Sequence, residues 1–227
     1  MSVAVLITAK DVELEFPTKR VFDPVTLGVN TGDRIGIVGK NGDGKSTLLS
    51  LLGGSLEPDS GEVIRRSGTT VGRLAQADNL RDEDSVEHAV VGDAPEYTWA
   101  SDRTVREIIA ALLGDNPWDG TVGELSGGQR RRVDLARLLI GDWDVLMLDE
   151  PTNHLDVHAI AWLAEHLKRR WTQGEGALLV VTHDRWFLDE VCTAMWEVHD
   201  GVVDPFEGGY SAYILQRVER DRQVQVA

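Results

Sequence analysis

The sequence predicts an α/β fold in which a mostly parallel sheet is flanked by helices and carries an inserted helical segment. Three observations lead there. Strand-sized apolar runs alternate with amphipathic helical patterns along most of the chain, the order that parallel sheets with helical crossovers produce. The apolar run Arg34–Val38 passes directly into a glycine-rich loop and then a helical pattern. From about Ala77 to Ile140 the alternation stops, and helical patches broken by Gly and Pro replace it without a strong strand pattern.

In chain order, Val3–Thr8 and Val12–Phe16 read as two strands, and Arg34–Val38 as a third. A helix is expected from Lys45 to about Leu52. Val145–Leu148, Ala177–Thr182 and Ala194–Val198 are short apolar runs of strand length. Between the first two, Ile160, Leu163, Ala164 and Leu167 recur at i, i+3, i+4 and i+7, one buried helix face. Tyr210, Tyr213, Ile214 and Val218 make a last helical stripe, after which the chain turns polar. That change is expected where a helix runs on into a linker, and the chain reads as a piece cut there.

With 227 residues and 42% apolar content the chain can bury a sizeable core. No apolar run reaches eighteen residues, so no membrane insertion is predicted. The first residues lack a basic stretch leading into a long apolar one, which excludes a signal-peptide reading. The single cysteine, Cys192, rules out an internal disulfide, fits a cytoplasmic setting and reads as a small buried hydrophobe. A net charge of −15 argues against a surface that grips nucleic acid broadly, because phosphate contacts need a basic face. No direct DNA binding is expected.

Gly39-Lys40-Asn41-Gly42-Asp43-Gly44-Lys45-Ser46 matches G-x-x-x-x-G-K-[ST] in full. It lies between an apolar strand and a helix, where glycines let backbone N–H groups converge on phosphate oxygens at a helix N-terminus. Lys45 is expected to neutralise the β and γ phosphates and Ser46 to ligate Mg²⁺. Val145-Leu146-Met147-Leu148-Asp149-Glu150 is an apolar strand ending in two acids. Such a strand holds its terminal carboxylates at the carboxyl edge of the sheet, where open α/β sheets bind ligands. Asp149 is expected to orient Mg²⁺ and Glu150 to polarise an attacking water. Leu125-Ser126-Gly127-Gly128-Gln129 opens a further helix with Val133, Ala136 and Ile140 on one face, a second helix N-terminus suited to an anion. The Arg130–Arg132 run beside it reads as a solvated helix face, with contact of one of the three to a nucleotide or a partner as the alternative.

A P-loop together with LSGGQ resembles the ATP-binding cassettes, and the resemblance covers the chain from Val5 to about Arg222. It implies a P-loop NTPase (RecA-like) core with a mostly parallel sheet, an antiparallel β subdomain and an inserted helical subdomain. One nucleotide-binding domain is then expected, with residues 1–76 and 141–208 as ATP-binding core. Residues 77–140 would form the helical subdomain and 209–227 the C-terminal helix that starts a linker. By the same resemblance ATP lies along Gly39, Asn41, Gly42, Gly44, Lys45, Ser46 and Thr47. Gln76 senses Mg²⁺ and nucleotide, His183 contacts the γ-phosphate, and Phe16, 29 residues before Lys45, lies under adenine. Ser126, Gly127, Gly128 and Asp156 belong to the half of the site that a second cassette completes, supplied by the same full-length chain or by a homodimer. Glu150, His183 and Lys45 are the expected catalytic residues; Ser46, Gln76 and Asp149 are the expected metal set.

Glu150-Pro151-Thr152-Asn153-His154-Leu155-Asp156, the segment Thr182–Asp189 and the ending Phe206–Tyr213 look like the ABC-F branch. Transporter cassettes tend to carry serine and alanine where this chain has Asn153 and His154. The ABC-F resemblance implies two cassettes per polypeptide, no membrane domain and work on the ribosome in translation. Some members insert a long arm after the glutamine loop; only 48 residues separate Gln76 from Leu125, which leaves no room for one. The other reading is the ATP-hydrolysing subunit of a membrane transporter.

Overall fold

The computed structural model describes residues 3–17, 19–114 and 116–226. Two sheets are present. A three-stranded antiparallel sheet has the order β2-β1-β4, formed by β1 (Val5–Phe16), β2 (Lys19–Asn30) and β4 (Ser60–Arg65). A six-stranded sheet has the order β5-β6-β7-β3-β8-β9. Its parallel members are β3 (Arg34–Val38), β5 (Val71–Leu74), β6 (Val145–Asp149), β7 (Ala177–Val181) and β8 (Ala194–His199). The ninth strand, β9 (Val202–Glu207), closes the edge antiparallel to β8. Helix α1 (Lys45–Gly53) follows β3. The region 77–140 holds α2 (Val86–Val91), α3 (Glu96–Ala100), α4 (Arg103–Leu113) and α5 (Gly127–Ile140), and no named strand among its described residues. Helices α6 (Val157–Arg169), α7 (Arg185–Val191) and α8 (Tyr210–Val226) complete the chain.

Period-two side-chain direction explains how one sheet serves two cores. On one face Val145, Met147, Ala177, Leu179, Ile35 and Ile37 pack with Leu48, Leu49, Leu51 and Leu52 of α1 and with the antiparallel sheet. On the other, Leu146, Leu148, Leu178 and Val180 pack with α5, α6 and α7. Each fully buried Leu or Ile contributes about 1.5–3 kcal/mol, so the sheet is held from both sides. Among the described residues no helix is long and apolar enough to cross a membrane.

Three expectations need correction. Val3–Thr8 and Val12–Phe16 are not separate strands: β1 is continuous from Val5, with a register shift near Asp11, whose φ of 49° bends it without ending it. Arg130–Arg132 are not solvated. They reach backbone and carboxylate groups of neighbouring loops, because the N-terminal turn of α5 is wedged between those loops. The terminal stripe is only partly packed. Tyr213 is buried against Phe206, while Ile214 and Val218 face solvent. Cys192 is buried as expected, and burial pushes its thiol up to about 12.

One buried group makes stability depend on pH. His166 on α6 is buried, stacks on Trp162 and accepts a hydrogen bond from Arg170 Nη1 at 3.1 Å. Burial first, then the Arg170 and Arg169 charges, push its imidazole down from 6.5 to about 4. Because the folded value lies below the unfolded one, its contribution is complete above about pH 6.5. It is lost as pH falls toward 4, by roughly 3 kcal/mol in all. Urea unfolding at about pH 7 and pH 4.5 should show this loss in the wild type and a shallower one in His166→Gln. Equal losses in both proteins would remove His166 as the cause.

Candidate functional site

Four parallel strands end at the same edge of the sheet, and each delivers part of the site. The glycine loop leaves β3 at Gly39, Gln76 follows β5, Glu150 follows β6, and His183 follows β7. They meet around a cleft of about 450 Å³. Of the residues expected to bind nucleotide or metal, Phe16, Asn41, Gly42, Gly44, Lys45, Ser46, Thr47, Gln76, Asp149, Glu150 and His183 line it.

The loop geometry follows from its residue types. Gly39 and Gly44 take φ of 152° and 101°. A Cβ on Gly39 would stand 2.5 Å from the Val198 carbonyl oxygen, and one on Gly44 would crowd Val21. Asp43 accepts from the Lys40 N–H at 2.9 Å, and Lys19 Nζ donates to the Gly42 carbonyl at 2.8 Å. No side chain caps the N-terminus of α1, so its first N–H groups remain available to an anion. Lys45 is buried and donates to Gly39 O at 2.6 Å. Burial lowers its pKa, and the carboxylates of Glu150, Asp43 and Asp149 oppose that shift.

The acids differ sharply. Asp149 is fully buried, and neither carboxylate oxygen has a hydrogen-bond partner. Such an orphan is costly unless a cation completes it. Gln76 Nε2 donates to Ser46 Oγ at 3.3 Å beside it. Hard oxygen donors with one unsatisfied carboxylate fit Mg²⁺. Glu150 holds a left-handed backbone, φ 51°, secured by its N–H donating to Val181 O at 2.6 Å. A non-glycine residue in that conformation stores strain that neighbouring contacts must hold. Its carboxylate lies 3.5 Å from His183 Nε2, which is also 3.2 Å from Asn41 Oδ1.

Five expected residues lie outside this cleft. Ser126 caps α5 in a capping box with Gln129. Gly127 lines an adjoining depression that shares Gln76 and Glu150 with the cleft and also holds Asn153 and His154, and Gly128 stands against His154. Asp156 caps α6, accepting from Ala159 N–H at 2.8 Å. Gly39 faces the neighbouring cavity. Phe16 lines the cleft, but at 43% exposure it is not a core residue.

Sequence reasoning missed Lys19 and Val21, which reach the cleft from a strand it did not recognise. It also missed three arginines. Arg131 donates to Ala75 O and Asp149 O, joining the Gln76 loop to the acidic strand end. Arg130 pairs with Asp78 and Asp82. Arg73 reaches Ser46 O at 3.4 Å. For Arg130 and Arg131 the run of three arginines directly after LSGGQ was the available signal; Arg73 carried none.

A glycine loop feeding an uncapped helix, a buried orphan aspartate and a strained glutamate define a P-loop nucleotide-binding domain. The ABC transporter family model matches residues 22–153, more than half the sequence, and the chain belongs to this family of ATP-binding cassettes. It is 36% identical over 250 residues to the energy-dependent translational throttle protein EttA of Mycobacterium tuberculosis (strain CDC 1551 / Oshkosh), covering 94% of this chain and 44% of that one. It is 32% identical over 257 residues to the uncharacterized ABC transporter ATP-binding protein YfmR of Bacillus subtilis (strain 168), covering 97% and 40%. The chain thus spans less than half the length of these relatives. Since 94% of 227 residues is about 213, that EttA also carries some 37 aligned residues with no counterpart here. Among solved structures, a complex of archaeal ribosomal stalk protein aP1 with archaeal ribosome recycling factor aABCE1 superposes with a TM-score of 0.78 at 26% identity, covering 95% of this chain and 43% of that one. The ATP-binding subunit of an ABC transporter gives a TM-score of 0.75 at 20% identity, covering 89% and 90%, a likeness of fold.

Proposed function

We propose that this domain hydrolyses MgATP in a sandwich with a second cassette and works within an ABC-F type protein on the ribosome. The observation that carries the sandwich is a separation. The cleft holds most of the P-loop with Asp149, Glu150 and His183, whereas Ser126, Gly127 and Gly128 of the capped signature helix do not line it and Gly127 opens on the adjoining depression. A partner's Ser126–Gly128 segment would supply the missing anion-binding face. In this reading Gly39, Asn41, Gly42, Gly44 and Thr47 cradle the phosphates and Lys45 neutralises them. Ser46, Gln76 and Asp149 hold Mg²⁺, which when bound neutralises charge developing on the phosphates. Glu150 orients the water and takes its proton, His183 holds the γ-phosphate, and Phe16 stacks on the base. Asp156 acts from the loop that reaches the partner.

The ribosomal part rests on the EttA relatives, which are named as translational throttles, and on the recycling-factor structure. The transporter alternative rests on YfmR, which is named as an ABC transporter ATP-binding protein. With the full-length natural protein carrying Glu150→Gln, MgATP should drive co-sedimentation with ribosomes, and MgADP should not. Sedimentation with membranes instead would favour the transporter reading.

A further inference from the structure

The hairpin β8–β9 carries a cluster that ATP chemistry does not use. Glu197 and His199 are two apart on β8, so their side chains leave the same face. Asp204 on β9 pairs directly across from Glu197. The register therefore brings an imidazole and two carboxylates to one spot, with one ligand atom from each inside 4.8 Å of the others. His199 Nε2 is 2.6 Å from Asp204 Oδ2 and 3.8 Å from Glu197 Oε1. Ligand atoms of a tetrahedral zinc ion stand about 3.4 Å apart, so small side-chain rotations suffice.

The surroundings complete the argument. His199 Nδ1 lies 3.3 Å from Asp200 Oδ2. Without a metal both ring nitrogens therefore donate, Nε2 to Asp204 at 2.6 Å and Nδ1 to Asp200, and a metal that displaced the Nε2 proton would leave the Nδ1–H held by Asp200. Glu197 uses only its other oxygen on its neighbours: Oε2 accepts from Tyr213 OH and faces Arg217 Nε at 3.7 Å. Oε1 remains turned to the cluster. Glu197, Asp200 and Asp204 thus place three carboxylates around the imidazole, and Arg217 is the guanidinium paired with Glu197. A cavity of about 560 Å³, lined by Glu197 and His199 and also by Gly39, Lys40, Lys45 and His183, gives access.

We propose that Glu197, His199 and Asp204 bind a divalent transition-metal ion of the zinc type, at the foot of helix α8, using none of the residues that line the ATP cleft. One imidazole among few, close ligands suits zinc better than magnesium or calcium, which take six or more oxygens. The ion would replace the direct imidazole–carboxylate pair. Since Tyr213 and Arg217 lie on α8, it would also fix the carboxylate to which that helix is tied.

The test is equilibrium dialysis of the untagged chain, without nucleotide, against micromolar zinc chloride, with bound metal counted by elemental analysis. His199→Ala and Asp204→Asn are run in parallel after circular dichroism shows native spectra. The expected result is one equivalent more zinc on the wild type than on either variant. No difference from the variants overturns the site, because the cluster is then only a protonated imidazole between acids. Retention of that equivalent by either single variant overturns the three-ligand assignment equally. Neither variant touches the P-loop or Glu150, so ATP binding remains as an independent control.

Discussion

Replacing Glu150 with Gln is expected to lower ATP turnover by about 10²- to 10⁴-fold, the range a positioned general base supplies. The substitution removes one ionisable oxygen and keeps the shape, so the strained φ of 51° and the 2.6 Å bond from its N–H to Val181 O should persist. Binding should survive too, because the proposed phosphate contacts come from the glycine loop, Lys45 and the α1 N-terminus, not from Glu150. A protein that binds ATP and cannot cleave it keeps the γ-phosphate bridge between cassettes. The variant should therefore accumulate as a closed pair in MgATP and fall apart in MgADP. Turnover by colorimetric phosphate release and mass by light scattering check both halves. Wild-type turnover in the variant would remove Glu150 from its assigned role. Lost turnover without pairing would leave the base in place and sink the sandwich.

The second large effect is on affinity. Lys45→Ala should weaken ATP binding about 10- to 150-fold, the equivalent of losing 1.5–3 kcal/mol of hydrogen bonding to a charged group. Lys45 is a buried cation whose hydrogen bond goes to Gly39 O at 2.6 Å. Burial destabilises its charge, and Glu150, Asp43 and Asp149 restore part of what is lost. A polyphosphate supplies a better partner than that carbonyl. Isothermal titration should show the loss for ATP and ADP and almost none for adenosine, because Phe16, Lys19 and Val21, the side of the cleft proposed to hold the base, are untouched. An equal loss for adenosine would mean that the substitution damaged the cleft instead of removing a phosphate contact.

How much of the fold the sequence announced depended on where each strand lies in its sheet. The runs read correctly, Arg34–Val38, Val145–Leu148, Ala177–Thr182 and Ala194–Val198, became β3, β6, β7 and β8, all interior strands of the six-stranded sheet. An interior parallel strand is buried on both faces and must be apolar throughout, which is visible in one dimension. The four strands missed, β2, β4, β5 and β9, are the four edges of the two sheets. β4 exposes nearly every residue, β5 is four residues long, and β9 contains Pro205. An edge strand is shaped to avoid further pairing and shows little apolar pattern. The helical character of 77–140 was legible because helical periodicity is local. The arginines of α5 were not, since a side chain's partner in another loop leaves no trace in its own segment.

The site divides along the same line. By itself the sequence determined the phosphate loop, the two acids at a strand end and the signature turn, because each is a continuous segment whose chemistry is carried by its own backbone. Tertiary structure decided which of these meet. Parallel pairing of β5, β6, β7 and β3 brings Gln76, Glu150 and His183 to Lys45 at one edge and leaves Ser126–Gly128 outside the cleft. It decided as well that Asp149 is buried without a partner and that Glu150 is strained. Both follow from the β6–β7 register, which sets Asp149 opposite Val181 and ties the next N–H to that residue's carbonyl. Burial and strain come from contacts between distant segments, and the order of residues along a chain does not state them.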